Sequence, residues 1–418
     1  MLTSAAFILI LILCLLFIRR TTKNKTLSRP EILLGFIFKV AMGCLYGYIF
    51  QKYYGGDDTW MLHNGSLQEY DKLMHNPLQF FADLDPTASF RRNNSFTEGW
   101  YFLLSDLEYW IITKPLAVFN MVSRGNYYIN VIFFNLLTFW GQYLLYKLFA
   151  ARFPNRSRLA VLIIFFLPSA AFWLSGIRPD GWIMVAMGIT LYYFHAWLSS
   201  GNIKHALLVL IGLAGLIIFR SPFLLILGSG LIAWYISEKR SLSAGKVFAV
   251  VYGVAVVFFF ATSLISPSVN MLTYVVHRQQ EFFQLQGNTV YKLNALRPDV
   301  SSFLQTFHQA LINTLFRPLP WEAKGILQWV AAIETMFTWF MLVASLLIAR
   351  RIGANTNPVI WLCLLFGIFL YLFIGYTVPF PGAIARYKVI PELLLILAAG
   401  ASTRFPERHK QMLENDNI

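Results

Sequence analysis

The sequence predicts an all-α, polytopic transmembrane helical bundle, and three observations support this fold class. Of the 418 residues, 57% are hydrophobic and 13% are charged, whereas ordinary soluble domains contain about 25% charged residues. Apolar runs long enough to cross a bilayer recur along the chain, and polar or basic residues bound each one. Lysine and arginine collect in alternate loops. Because a soluble fold of this size could not bury so much apolar surface, lipid must solvate much of the chain.

We predict about eleven spans, of which the first is a retained helix. Its arginines, Arg19 and Arg20, follow the apolar run and no base precedes it, which is the reverse of a cleavable signal peptide. The segment Phe219-Arg220-Ser221-Pro222 separates two short runs that are also compatible with one long kinked helix. The predicted spans are 3–18, 31–51, 127–149, 159–175, 181–199, 205–219, 222–237, 246–265, 326–349, 357–378 and 389–402.

The loop charges predict the orientation of these spans. With the N-terminus outside, one set of short loops holds eighteen bases and five acids, whereas the other side is nearly balanced. The positive-inside rule makes the basic set cytoplasmic, so the N-terminus lies outside and the C-terminus in the cytoplasm. The net charge of +14 therefore lies mostly in the cytoplasmic loops, where anionic membrane lipids attract it. No nucleic-acid partner is expected.

Two long loops face outward in this topology, and the chain forms one integral membrane domain over 1–418. The first loop covers about 52–126 and the second about 266–325. Apolar residues recur in both at helical spacing, which predicts amphipathic helices lying in the membrane interface. They are Leu67, Tyr70, Met74, Leu78 and Phe81; Trp100, Leu103, Leu104, Leu107 and Trp110; and Phe303, Phe307, Leu311 and Leu315.

The first outward cluster is the segment Gly55-Gly56-Asp57-Asp58, directly after the second span. Two glycines allow a sharp turn and a close approach to a ligand. Two adjacent carboxylates can supply a general base or bind a divalent metal such as Mg²⁺ or Mn²⁺. A structural alternative is that Asp58 caps the N-terminus of the following helix.

Two further clusters place single arginines at outer turns. In Ser-Gly-Ile-Arg-Pro-Asp-Gly, Arg178 can grip a phosphate while Asp180 orients it, or the two can form a local ion pair in a capped turn. Arg220 lies in the apolar segment GLIIFRSPFLLIL. We expect it to face a polar cavity, and the alternative is snorkelling to the interface.

The remaining clusters lie near the end of the chain. Arg317 and Glu322 stand in the proline-rich segment FRPLPWE, where Trp321 could stack on a sugar or anchor the interface. Arg386 and Lys388 stand together after the tenth span, where they could bind an anionic headgroup or anchor the interface.

Two charges lie inside predicted spans. Lys39 is about two turns from the cytoplasmic end, so its side chain can snorkel to the interface. Glu334 lies two turns inside its helix and should face the bundle interior or a wet cavity, with an outer arginine as its partner. The sequence contains no Walker loop, dinucleotide fingerprint, zinc spacing or serine-nucleophile elbow, which disfavours an ATP-driven pump and a soluble-type hydrolase.

The layout resembles the GT-C class of membrane glycosyltransferases. The resemblance rests on many spans, a large first outer loop that opens with GGDDTW, and outer arginines in SGIRPDG and ARYKVIP. It implies that Asp57 or Asp58 is the base or orients the acceptor, sometimes with a divalent metal. It assigns the carrier phosphate to Arg386, with Arg178, Arg220 or Arg317 as other positions. The full predicted substrate-binding set is Arg178, Asp180, Arg220, Arg317, Glu322, Arg386 and Tyr387.

The resemblance implies transfer of a sugar from a polyprenyl-phosphate carrier to an acceptor on the outer, periplasmic face of a bacterial inner membrane, in envelope glycan or glycolipid assembly. The partners would be a lipid-linked sugar donor and a glycan, lipid or protein acceptor. Two alternatives stay open. A polysaccharide polymerase or ligase would tolerate loss of the carboxylates better than loss of the arginines, and a transporter or flippase of lipid-linked glycans would carry polar residues through the bilayer midplane.

Overall fold

The computed structural model describes residues 2–22, 29–92, 95–265, 270–287, 289–349 and 357–402. The described residues are mostly helical and contain no strand, which confirms the all-α bundle. Its α-helices are α1 (Leu2–Thr21), α2 (Arg29–Tyr54), α3 (Asp57–His75), α4 (Pro77–Ala82), α5 (Ala88–Arg92), α6 (Phe96–Ser123), α7 (Tyr127–Arg152), α8 (Ser157–Phe166), α9 (Pro168–Trp173), α10 (Pro179–Ser200), α11 (Ile203–Lys239), α12 (Ala244–Ala261), α13 (Met271–Phe283), α14 (Val300–Leu311), α15 (Ile326–Ala349), α16 (Pro358–Thr377), α17 (Pro381–Tyr387) and α18 (Val389–Ser402).

Eight described helices are long and apolar enough to cross a membrane, so the chain is an integral membrane protein. These are α1, α2, α7, α10, α11, α12, α15 and α16. The predicted span 159–175 is instead broken into α8 and α9 at Leu167, whose backbone is extended (φ −62°, ψ 124°). Pro168 explains the break, because proline disfavours a helical conformation in the preceding residue.

Helix α11 folds back on itself at Arg220, whose φ of −159° and ψ of 77° interrupt the helix. Near its start, the ring of His205 lies 5.8 Å from that of Tyr193. Near its end, Tyr235 stacks on Trp197, with ring centroids 5.8 Å apart. Both ends of α11 therefore meet the last turns of α10, and its two halves are antiparallel. This agrees with the two predicted spans 205–219 and 222–237.

Among the described residues, these eight helices, the fold-back of α11 and the shorter apolar segments α8–α9 and α18 occupy the positions of the eleven predicted spans. Helix α7 defines their direction, because α2 and α8–α9 run antiparallel to it. Phe36 packs on Phe139, Asn135 donates to the carbonyl of Ser175 at 2.9 Å, and Gln142 donates to that of Ile164 at 2.7 Å. We call the end where α2 stops and α7 begins the site end.

Lys39 lies in this antiparallel core and does not snorkel, so that expectation is wrong. Its ammonium donates to the backbone carbonyl of Leu174 at 2.7 Å, and the residue is 2% exposed. The carbonyl is available because α9 ends at Trp173, which leaves its last carbonyls without helical donors. Lys39 therefore joins α2 to the end of α9 beneath the site.

Both long loops contain helices, as predicted. The first loop forms α3 to α6, and the buried ammonium of Lys114 joins α6 to Glu69 of α3 at 2.7 Å. The second loop forms α13 and α14. Leu78 and Phe81 are largely exposed, a feature consistent with the predicted contact between these helices and the membrane interface.

Candidate functional site

A sharp turn between α2 and α3 presents the two adjacent carboxylates at the site end. Gly55 and Gly56 have positive φ values of 65° and 103°, and Asp57 follows at 47°. Glycine adopts this left-handed region without strain, and aspartate tolerates it better than most residues. The cap of α3 is Gly56 and involves no side chain, so the alternative that Asp58 caps the helix is wrong.

Both carboxylates bind the same guanidinium, that of Arg178. Its Nη1 donates to Oδ2 of Asp57 at 3.0 Å and to the hydroxyl of Tyr46 at 2.9 Å, and its Nη2 donates to Oδ2 of Asp58. The Arg178 side chain is 3% exposed, whereas the carboxylates are 40% and 49% exposed. Arg178 thus links the start of α3 to the turn that precedes α10.

Arg386 extends this contact into a chain of alternating charges. Its Nε donates to Oδ2 of Asp180 at 2.8 Å, and its Nη1 lies 3.8 Å from Oδ2 of Asp58. The local Arg178–Asp180 pair and the interface-anchor role of Arg386 are therefore both wrong. We refer to Asp57, Arg178, Asp58, Arg386 and Asp180 as the ion-pair chain.

Lys388 does not accompany Arg386, although the two are only two residues apart. The Lys388 side chain is buried inside the bundle and donates to Oγ1 of Thr335. The expected pair of bases at the interface is therefore wrong. The turn between α17 and α18 sends the two side chains in different directions.

A cavity of about 410 Å³ lies beside the ion-pair chain. Four predicted residues line it: Asp180, Arg220, Arg386 and Tyr387. Its walls are largely apolar and come from α3, α6, α10, α11, α13 and α16 to α18. They include Met61, Leu104, Ile183, Phe219, Phe223, Phe282, Leu370, Phe373 and Val378. A volume of this size, with a few converging charges, is typical of small-molecule sites.

Arg220 faces this cavity, as the sequence predicts. The break in α11 places its guanidinium over the ring of Tyr387, 4.7 Å from the ring centroid. The guanidinium of Arg386 lies 5.4 Å from the same centroid. Tyr387 therefore makes cation–π contacts with both guanidinium groups.

Asp57 lines a second cavity of about 410 Å³ at the same end of the bundle. Met61 and Tyr109 line both cavities, which places the carboxylate turn next to the arginine-lined space. Seven predicted residues from separate loops thus lie in one region: Asp57, Asp58, Arg178, Asp180, Arg220, Arg386 and Tyr387.

Two charged cavity residues lie outside the predicted set. Arg278 lines the cavity from α13 and is paired with Glu281 at 2.8 Å. Glu108 lines it from α6 and is half-buried. Glu108 follows Leu104 by four residues and so lies on the same apolar face of the helix. An acidic residue on that apolar face is the sequence feature from which Glu108 could have been predicted.

Glu108 differs from the carboxylates of the ion-pair chain. Among the described residues, none makes a hydrogen bond or a close ion pair with it. Burial raises the pKa of Glu108 above its usual value, and the nearby positive charge of Arg220 partly offsets that rise. Of the two carboxylates that line the cavity among the described residues, Glu108 is the one without a close ion pair.

Arg317 and Glu322 are not brought to the cavity. Nε of Arg317 lies 3.1 Å from Oε1 of Glu322, and the guanidinium lies 4.3 Å from the centroid of the Tyr291 ring. Neither residue lines the cavity. Their role in substrate binding is without geometric support.

The contacts of Asp57 and Asp58 fit a divalent metal poorly. Each carboxylate already accepts a hydrogen bond from Arg178, so a metal would have to displace or lie beside a buried cation. Within the described residues, no three acidic, histidine or cysteine side chains converge on one point. We derive no step that uses a metal.

No protein-family model, curated protein or solved structure matches this chain.

Proposed function

We propose that the protein is a glycosyltransferase that moves a sugar from a polyprenyl-phosphate carrier to an acceptor at the outer face of the membrane. The observation that carries this proposal is the cavity, where Arg220 and Arg386 meet apolar walls and two carboxylates, Asp180 and Glu108. A substrate with an anionic phosphate and a long apolar tail has the same two properties.

The two arginines are proposed to bind the carrier phosphate. Arg386 is oriented by Asp180, and Arg220 is held over Tyr387, so both guanidinium groups are preorganised. Negative charge on the phosphate grows as its bond to the sugar breaks, and preorganised cations stabilise that charge. Arg278 adds a third positive charge to the cavity wall.

The carboxylates are proposed to divide the remaining work. Asp57 and Asp58 are paired with Arg178, which suits them to orient an acceptor beside the cavity. Glu108 has no such partner, which suits it to accept a proton. In the proposed step the acceptor hydroxyl transfers its proton to Glu108 and its oxygen bonds to the anomeric carbon. The bond from that carbon to the phosphate breaks, and the electron pair leaves with the phosphate.

The test uses the full chain in lipid nanodiscs with labelled polyprenyl-phosphate hexoses and a membrane extract as acceptor. We expect label transfer that Arg386→Ala and Arg220→Ala each reduce at least 100-fold. Arg297→Ala removes an exposed arginine outside the cavity and serves as the matched control. Equal transfer by the wild type and both cavity variants would refute the assignment of the phosphate site.

The same preparation separates the alternatives. A polymerase or ligase would transfer preassembled glycans and would lose activity with the arginines while tolerating Asp57→Asn and Asp58→Asn. A transporter or flippase would move a labelled lipid-linked glycan across a sealed vesicle without releasing polyprenyl phosphate. This alternative is tested because Lys39 and Glu334 are buried charges within helices of the bundle, and a transporter would carry polar residues through the bilayer midplane.

A further inference from the structure

A second group of buried charges lies inside the bundle and does not line the cavity. Glu334 belongs to α15, Glu392 to α18, and Lys388 immediately precedes α18. All three are at most 5% exposed. Charged side chains in such apolar surroundings are tolerated where an oppositely charged partner or a bound proton neutralises them.

Glu334 has donors for both of its carboxylate oxygens. The backbone N–H of Ser169 donates to Oε2 at 3.0 Å, and the Ser169 hydroxyl donates to Oε1 at 2.7 Å. This N–H is free because it lies in the first turn of α9, directly after the break at Pro168. The expectation that Glu334 faces the interior is correct, but its partner is Ser169 and not an outer arginine.

Glu392 is bonded on one oxygen alone. Oε1 accepts from the hydroxyl of Thr338 at 2.8 Å, whereas Oε2 has no hydrogen-bond partner among the described residues. Glu392 is 1% exposed. An ionised carboxylate with an unpaired oxygen would be costly at this depth.

The surrounding charges add up to one excess acid. Lys388 is the neighbouring cation, and its ammonium donates to Oγ1 of Thr335. Tyr371 of α16 is the other titratable side chain near both acids. Helix α9 brings no charged side chain, the base of α8 (Arg158) lies at its far end, and Arg386 of α17 is bonded to Asp180.

We propose that Glu334 and Glu392 form a buried proton-binding site in which the two carboxyl groups hold one proton between them. Two neighbouring carboxylates in a medium of low dielectric constant do not both ionise readily. One proton leaves a single negative charge, which the ammonium of Lys388 balances. The proton comes from solvent, forms one O–H bond, and breaks no bond in the protein. This site does not depend on the proposed transferase activity.

Infrared spectroscopy of the full chain in nanodiscs at neutral pH tests the proton directly. We expect the band of protonated carboxyl groups to lose the intensity of one group in Glu392→Gln. Glu334→Gln should lose the same intensity, because the remaining acid then ionises against Lys388. Glu98→Gln changes an exposed carboxylate and should leave the band unchanged. A band of equal intensity in the wild type and Glu392→Gln would overturn the proposal.

Charge-balance variants give a second, independent measurement through the melting temperature. Glu392→Gln should melt close to the wild type, because the carboxylate of Glu334 still balances the ammonium of Lys388. The double variant Glu334→Gln/Glu392→Gln should melt lower, since Lys388 loses its counter-charge, and adding Lys388→Met should recover part of that loss. If Glu392→Gln alone fails to fold, or melts as low as the double variant, the protein requires a second negative charge at this position. The proposal is then wrong.

Discussion

Nε of Arg386 donates to Oδ2 of Asp180 at 2.8 Å, a contact that joins residues 206 positions apart in the sequence. The contact places α17 against the start of α10 and fixes one side of the cavity. Both side chains are buried, at 12% and 7% exposure. The pair therefore has a structural role and a proposed functional role that variants can separate.

Breaking this pair should destabilise the protein more than removing it. Asp180→Asn or Arg386→Met alone leaves an uncompensated buried charge, which costs about 3–5 kcal/mol. The double variant Asp180→Asn/Arg386→Met should recover part of that loss. The measurement is a double-mutant cycle of unfolding free energies in detergent.

The exposed pair Arg297 and Asp299 supplies the control for that cycle. Their atoms lie 3.6 Å apart and both side chains are largely exposed, so removing either should cost about 0–1 kcal/mol. Equal costs for the two pairs would contradict the buried role of Arg386.

Glu108 should determine how transfer depends on pH. As a base it acts in its ionised form, so transfer should rise with pH through the pKa of Glu108, which lies above its usual value. Glu108→Gln should lower the rate about 10²–10⁴-fold and abolish that rise. The measurement is a pH–rate profile for the wild type and this variant.

The variants Asp57→Asn and Asp58→Asn are compared with Glu108→Gln. If they orient the acceptor, they should raise the KM for acceptor more than they lower kcat, and they should keep the pH profile of the wild type. Loss of the pH-dependent rise in Asp58→Asn, with Glu108→Gln unaffected, would assign the base to Asp58.

The reversal of α11 predicts which positions label from the same side of the membrane. Single cysteines at Lys204 and Arg240 should react with an impermeant thiol reagent from one side, and a cysteine at Ser221 from the other. The three native cysteines, Cys14, Cys44 and Cys363, are replaced beforehand. A straight α11 would place Lys204 and Arg240 on opposite sides.

The crossing of α7 and α10 should be intolerant of side chains at Gly188. A Cβ there would overlap the backbone of Gly141, so Gly188→Ala should cost about 1–3 kcal/mol. Gly253→Ala in α12 is the matched control, because no atom lies within 4 Å of its added carbon, and should be neutral or stabilising by up to about 1 kcal/mol. Unfolding free energies of both variants provide the comparison.

The sequence by itself determined the class of the protein, most helices and the two long helical loops. These features are local, because the free energy of moving an apolar run into lipid sums over neighbouring residues. Pro168 is also a local signal for a helix break. The continuous apolar run around it nevertheless led to the prediction of one span where the structure has two short helices.

Tertiary structure alone decided which charges meet. Arg178 could have paired with nearby Asp180, but it binds Asp57 and Asp58, about 120 positions away. Arg317 and Glu322 have the composition of a site yet pair with each other outside the cavity. Glu108 has no distinctive motif and lies inside the cavity. The physical reason is that an ion pair depends on which helix ends pack together, and hydropathy along one chain does not specify that packing.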